Sequence, residues 1–537
     1  MALSTDLREI QITSASTSTI TVSGLSFAPK LVLFSWTRAN ANDSITTGTT
    51  GTRGFGALAS SQWGIEFAST DNRTANSQAG TAMRSDACIV EGNTAGGNIS
   101  GYLAGALTSD GYTLTVTDAT ANSFLVTALA FGGTSIEAVV GSRACPTSAG
   151  DFSTTVTGIT PNVVLLGYGG SRHTTDNAWN STGGGVFALG VGTSSSNRYT
   201  IVTGEDTGAS TTQSRALVDT AKIARYYNGA TLESSLEFVS TGASAFTLNK
   251  SGSDNSRASR LYYVAIQVDQ AWVGTFTTAT STGTTTVTSP GFQGQAILAF
   301  ARPDATATEG SQATGATVNE MTVGLATSAS SRMTTWSGTV GGLTTATNAT
   351  ESYNYRNNAM FLTDVTRSAA NTASKEGWVD FNGFTSTGFT IDQEDADAQA
   401  TLVVGMVLGE TETGIPISWR LRAMQVLLER PRLLVSQWQQ ATLGRLAATW
   451  PLSLVGPTAG TVGQIARPIA DVALGTWTTQ SGGTTNLYAT LDEDTPDDAD
   501  YVRSAIDASN DVLRVSLTAL NEPLEGPGTL KIRHRRG

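Results

Sequence analysis

One stretch occurs three times in this 537-residue chain, and it limits the possible folds more than any other feature. The copies are LSFAPKLVLFSWTR (25–38), ITPNVVLLGYGGSR (159–172) and PGFQGQAILAFARP (290–303). Each has a turn rich in Pro or Gly, then a short apolar run, then a polar loop. A continuous apolar run between turns predicts a strand buried on both faces, or the central strand of a sandwich. Downstream landmarks keep step with it. Gly56, Gly190 and Gly324 follow at intervals of 134 residues. Each copy then closes on a matched hairpin-like segment, at 110–132, 244–268 and 387–409, in which Tyr112, Phe246 or Phe389 begins an alternating strand. A period of one domain length predicts tandem copies of one domain.

The expected fold is therefore mainly β. It comprises three tandem β-sandwich, jelly-roll-like repeats at 1–133, 134–268 and 269–410. Charged residues make up only 14% of the chain, and Gly, Ser, Thr, Ala and Asn fill the gap, as suits short strands joined by polar turns. The recurrence in step of runs rich in Val, Ile, Leu and aromatics argues against a disordered low-complexity chain. In the first repeat, residues 40–52 form a polar loop without periodicity, a place where partner contacts are expected.

The texture changes after residue 410. Residues 411–463 read as a helical connector and linker, with helices expected at 417–429 and 432–449 separated by Pro431. Arg420, Arg422, Arg430, Arg432 and Arg445 against Glu429 make 416–454 basic within an acidic protein. This segment reads either as a connector packed on its neighbours or as an assembly element anchored by Trp419, Trp438 and Trp450. Residues 464–537 form an expected small C-terminal β domain. Its basic end, with Arg533, Arg535 and Arg536, either finishes an edge strand or docks on an acidic neighbour.

Little suggests catalysis. His173 and His534 are the two histidines, and both read as solvent-facing; neither lies near a nucleophile motif. Zinc-binding and phosphate-loop patterns are absent, and the glycines at 183–185 read as a turn. Two acidic clusters, at 392–397 and 492–500, read as solvated loops. The second, with Asp492, Glu493, Asp494, Asp497, Asp498 and Asp500, could hold Ca²⁺ loosely, although it lacks the spacing of a calcium loop. No catalytic residue, cofactor or metal site is otherwise expected. Trp63, Trp179 and Trp336 read as core residues, with sugar stacking as the alternative. Cys88 and Cys145 read as unpaired core residues, which fits maturation in a reducing cytoplasm. A net charge of −12 argues against nucleic-acid binding. Neither a secretory signal nor a membrane-spanning run is expected.

The pattern GLSFAPKLVLFSW, RGFGALASSQWG, SDACIV, SDGYTLTVTDATANSFLVTALAFGG resembles a domain of tailed-bacteriophage virion proteins, including tail and tail-fibre proteins. The segment from Trp477 through Leu487 and Tyr488, Asp492 and Glu493, to Asp500 and Tyr501 resembles a small domain frequent in the same class of proteins. The second repeat departs from the first, with ALVDTAKIARYY where SDACIV would stand. The resemblance implies a non-enzymatic structural protein on the virion exterior, a tail-associated fibre, spike or surface protein made in the host cytoplasm. It would contact other tail or head proteins, form a homo-oligomer and take part in host attachment. The alternatives are a head-decoration protein or head fibre, and a host-glycan-binding adhesin or depolymerase.

Overall fold

The structure is a computed structural model. It describes residues 3–410 except 48–49, 71–77, 96, 171, 183, 206–213, 229–230, 253–257, 303–317, 341–350, 369–371 and 397–399. Beyond 410 it describes six short strands. The chain divides into two compact units, 1–410 and 411–537. All described regular structure is β.

Residues 3–133 form β1 (Leu3–Ile12), β2 (Ile20–Val22), β3 (Pro29–Trp36), β4 (Thr46–Thr47), β5 (Gly51–Leu58), β6 (Gln62–Ser69), β7 (Ala79–Arg84), β8 (Ile89–Asn93), β9 (Asn98–Thr108), β10 (Gly111–Asp118) and β11 (Phe124–Gly133). Residues 136–268 form β12 (Ile136–Ala144), β13 (Gly150–Thr155), β14 (Val163–Tyr168), β15 (Ala178–Asn180), β16 (Gly185–Gly192), β17 (Arg198–Glu205), β18 (Ser214–Asp219), β19 (Ala224–Asn228), β20 (Thr231–Gly242), β21 (Ala245–Ser251) and β22 (Arg260–Val268). Residues 270–409 form β23 (Gln270–Thr277), β24 (Gly283–Val287), β25 (Gly294–Ala301), β26 (Val318–Ser328), β27 (Ser331–Val340), β28 (Glu351–Asn357), β29 (Leu362–Ser368), β30 (Thr372–Thr385), β31 (Gly388–Asp395) and β32 (Leu402–Gly409).

These strands pair into three large and three small sheets. The large sheets run β1-β11-β3-β5-β6-β7, β12-β22-β14-β16-β17-β18 and β23-β32-β25-β26-β27-β28. The small ones run β2-β10-β9-β8, β13-β21-β20-β19 and β24-β31-β30-β29. One strand order thus occurs three times. Two short strands cross over: β15 pairs with β7 of the first large sheet, and β4 with β28 of the third.

The thrice-occurring apolar runs are β3, β14 and β25, each inside its large sheet. They show no alternation because both faces are covered. In β3, Val32, Phe34 and Trp36 pack with Leu103, Tyr112 and Leu114 of the small sheet. Leu31 and Leu33 face the other way, into a core shared with Val163, Leu165, Ala296 and Leu298 of the other large sheets. Each large sheet encloses its own core with its small sheet, and all three inner faces meet in the common one.

The sheets touch one another in a cycle. β16 lies against β6 and β7, β26 against β17 and β18, and β5 against β27 and β28. Each contact joins unlike surfaces, and three such contacts close into a ring.

The spaced glycines have a physical reason. In register, Gly56 lies beside Phe34, Gly190 beside Leu166 and Gly324 beside Ala299. A Cβ at these positions would overlap the backbone carbonyl of Cys88, Ile223 or Phe361, respectively. Those three residues donate their N–H groups to Leu103, Leu236 and Val379 of the small sheets. The glycine therefore lets the segment entering the small sheet lie directly on the large one.

In 411–537, Leu452–Val455 pairs with Thr529–Ile532, Pro468–Ala473 with Arg514–Leu517, and Thr478–Thr479 with Val502–Arg503, all antiparallel. The helices expected at 417–429 and 432–449 lie outside the described residues.

Candidate functional site: the seams between sheet pairs

The residues expected to form an assembly interface, Trp419, Arg420, Arg422, Arg430, Arg432, Trp438, Arg445, Trp450, Arg533, Arg535 and Arg536, lie outside the described residues. So does the acidic cluster at 492–500. Among the described residues no group of three His, Cys, Asp or Glu side chains could hold a metal ion. Asp392 and Asp395 lie on β31 rather than in a loop. Cys88 and Cys145 are buried, and neither forms a disulfide.

One expectation is corrected, and one alternative is excluded. His173 is not solvent-facing: it is 2% exposed, and its Nε2 lies 3.1 Å from the carbonyl of Thr81, on a different sheet pair. Trp63 and Trp336 are fully buried and offer no face to a sugar. Trp63 donates Nε1–H to the carbonyl of Tyr263 at 3.0 Å, across the first seam. Trp179 is half-buried and sits over Gly80 and Gly92, where any Cβ would overlap its ring.

The polar groups that meet other sheet pairs form the most developed constellation. At the seam between the first and second pairs, Val186 N–H donates to Thr81 Oγ1 at 2.9 Å, and that hydroxyl donates to the Val186 carbonyl at 2.7 Å. Asn354 plays the same part between the third and first pairs. Its Oδ1 accepts Thr52 N–H at 2.9 Å, and its Nδ2 donates to the Thr50 carbonyl at 3.1 Å. Thr52 and Val186 hold equivalent register positions, opposite Ala68 and Gly204. Between the second and third pairs, Arg302 donates to the Ala216 carbonyl at 3.3 Å.

The seam between the third and first pairs has no short chain connection across it and carries buried charge at Arg53 and Arg356. Arg356 is fully buried. It donates to Glu9 at 2.6 Å, to Thr127 Oγ1 at 3.1 Å and to Asn42. Burial draws the Arg356 pKa down while Glu9 opposes that shift. Burial would raise Glu9, but Asn42 and Arg356 outweigh it and hold the carboxyl below its usual range. Arg53 donates to Asn319 Oδ1 at 2.9 Å and to its carbonyl at 3.0 Å. Ser35 and Thr335 share a 2.7 Å hydrogen bond. Tyr355 donates to Asp43 at 2.7 Å and Lys375 reaches it at 3.0 Å; both hydrogen bonds lower the Asp43 pKa. Ile45, next to β4, packs against Trp336, Tyr353 and Tyr355.

The first pair also contains a buried carboxylate network. Glu66 accepts Trp36 Nε1–H at 2.6 Å and Gly92 N–H at 2.9 Å. Glu91 accepts Ala121 N–H at 2.6 Å and lies 3.4 Å from Arg38. Burial pushes Glu66 up to about 8, against the pull of Arg38. Both carboxylates are closed off from solvent, so the network braces the interior rather than meeting a substrate. A shallow cleft of about 350 Å³, lined by Thr5, Gln293, Gln295, Thr327, Ser328 and Phe384, holds no pair of titratable groups that could perform acid–base chemistry.

No signature within one copy marks these seams. The signal available was the polar loop after each central strand, which here contributes Asn42, Asp43, His173 and Trp179.

No protein-family model matches the chain, and no curated protein matches it. Among solved structures, the LG1-3 region of the laminin alpha2 chain aligns at 8% identity over 74% of this chain and 99% of that one, with a TM-score of 0.09. OccK11 of Pseudomonas aeruginosa aligns at 10% identity over 72% and 99%, with a TM-score of 0.09.

Proposed function

We propose that this protein is a non-enzymatic structural component of the exterior of a tailed-phage virion, a tail-associated fibre, spike or surface protein. In this reading, 1–133, 134–268 and 269–410 are three tandem β-sandwich units. The observation that carries it is the cyclic closure of three matched sheet pairs around one shared core. Such a body devotes its buried polar groups to holding itself together, and its sequence resembles virion proteins. Particle assembly needs rigidity and many exposed loops, and both follow from this design. Residues 416–454, basic and rich in Trp and Arg, are the proposed contact with neighbouring virion proteins.

Antibodies against the full chain should label the outside of purified particles, at the tail. Labelling at the head would favour a decoration role. Purified particles that carry none of the protein would overturn the proposal.

A further inference from the structure

We propose that residues 172–182 form an acid-released latch between the first and second sheet pairs, with protonation of His173 as the release. The segment leaves β14, crosses to the first pair and lays β15 on β7. Three contacts seat it there. His173 Nε2–H donates to the Thr81 carbonyl, Asn177 Oδ1 accepts Ser85 N–H at 2.9 Å, and Trp179 fills the seat left bare by Gly80 and Gly92. Asn177 reaches its partner from a left-handed backbone, φ 57°. The segment is rooted where His173 N–H donates to Gly170 and the His173 carbonyl accepts Arg260 N–H at 2.6 Å.

The charged groups around the latch are already engaged. Arg260 holds Asp176, Arg172 faces Glu233 at 3.8 Å, and Arg84 on β7 holds Asp86 at 2.7 Å. Backbone groups of Thr81, Thr175 and Ala178 lie against the imidazole, and the charge that acts on it is that of Arg260. An imidazolium here would be buried beside a cation, with no carboxylate of its own.

The sign follows from this burial, which lowers His173 from 6.5 to about 4. The contribution is complete above the unfolded value and is lost as pH falls from 6.5 through 4. Protonation is easiest when the ring reaches water, so acid favours the lifted segment. Lifting it uncovers the backbone groups of β7, an open edge able to accept another strand.

Hydrogen exchange on the full chain, corrected for intrinsic rate, tests this at pH 7 and at about pH 4.5. The linkage predicts that opening at 79–85 and 178–180 rises by on the order of 10- to 100-fold at the lower pH. The seam at Thr52 and Asn354 should change far less. His173→Gln, which keeps an N–H donor and cannot charge, should hold the segment closed at both values. No rise in the wild-type chain, or an equal rise in His173→Gln, overturns the proposal. Should the variant not fold, proton NMR titration of the wild-type chain decides, with His534 as the second histidine signal. A His173 midpoint well below 6.5 supports the latch, and a midpoint near 6.5 contradicts it.

Discussion

Single residues reveal the logic of this chain most clearly at Gly56, Gly190 and Gly324. Each permits a carbonyl from the neighbouring sheet to rest where a side chain would begin. Alanine at any of them should cost about 1–3 kcal/mol, the usual cost of overpacking, since the obstructing atoms are backbone. Chemical denaturation of each variant checks this, and an unchanged midpoint in all three would refute the account of the landmark. Glu66 makes a second residue-scale prediction. Its folded pKa is raised, so its contribution is complete below 4.5 and is lost as pH rises through about 8. Glu66→Gln should therefore flatten the decline in stability between those values, as measured by denaturation across pH. A decline of the same steepness in the variant would contradict it.

At the scale of elements, the central strands were legible because burial on both faces leaves an unbroken apolar run. Tyr112, Phe246 and Phe389 were legible for a related reason: each begins an alternating strand and is buried as its first core residue. What covers the second face of β3 was not legible. Leu31 and Leu33 would read the same whether another part of this chain or a separate subunit packed on them. Side-chain divergence hid the correspondence further. The row Trp36, Gly54, Glu66 becomes Tyr168, Ala188, Val202 and then Ala301, Thr322, Trp336. The large ring moves from one strand to another while the row remains filled, as a close-packed interior requires. His173 was misjudged because it stands, with Trp179, in a stretch whose cover comes from elsewhere in the chain. In sequence they lie in a polar loop, and only the partner sheet buries them. Trp179→Ala should destabilise the chain by about 3 kcal/mol, the lower end for such truncations because the ring is only half-buried. Exchange protection of β7 should fall with it. Stability and protection both unchanged would show that the crossing strand is incidental.

For the molecule as a whole, the consequence is closure. Asp269 alone separates β22 from β23, and two residues separate β11 from β12. These short joints force neighbouring pairs together, and the third contact then completes the ring without one. The buried Arg356 with Glu9 and Asn42 supplies specificity at that last seam. A ring closed within one chain satisfies its own interfaces. In the proposed virion role, this leaves the loops and 411–537 to meet other proteins. The most direct measurement is a cryo-electron microscopy map of purified particles at a resolution that traces strands. The account predicts, on the particle exterior, one chain forming three sandwich lobes packed on a common core, with β15 and β4 crossing between lobes. Three lobes strung out without a shared core, or no density for this chain on the particle, would contradict it.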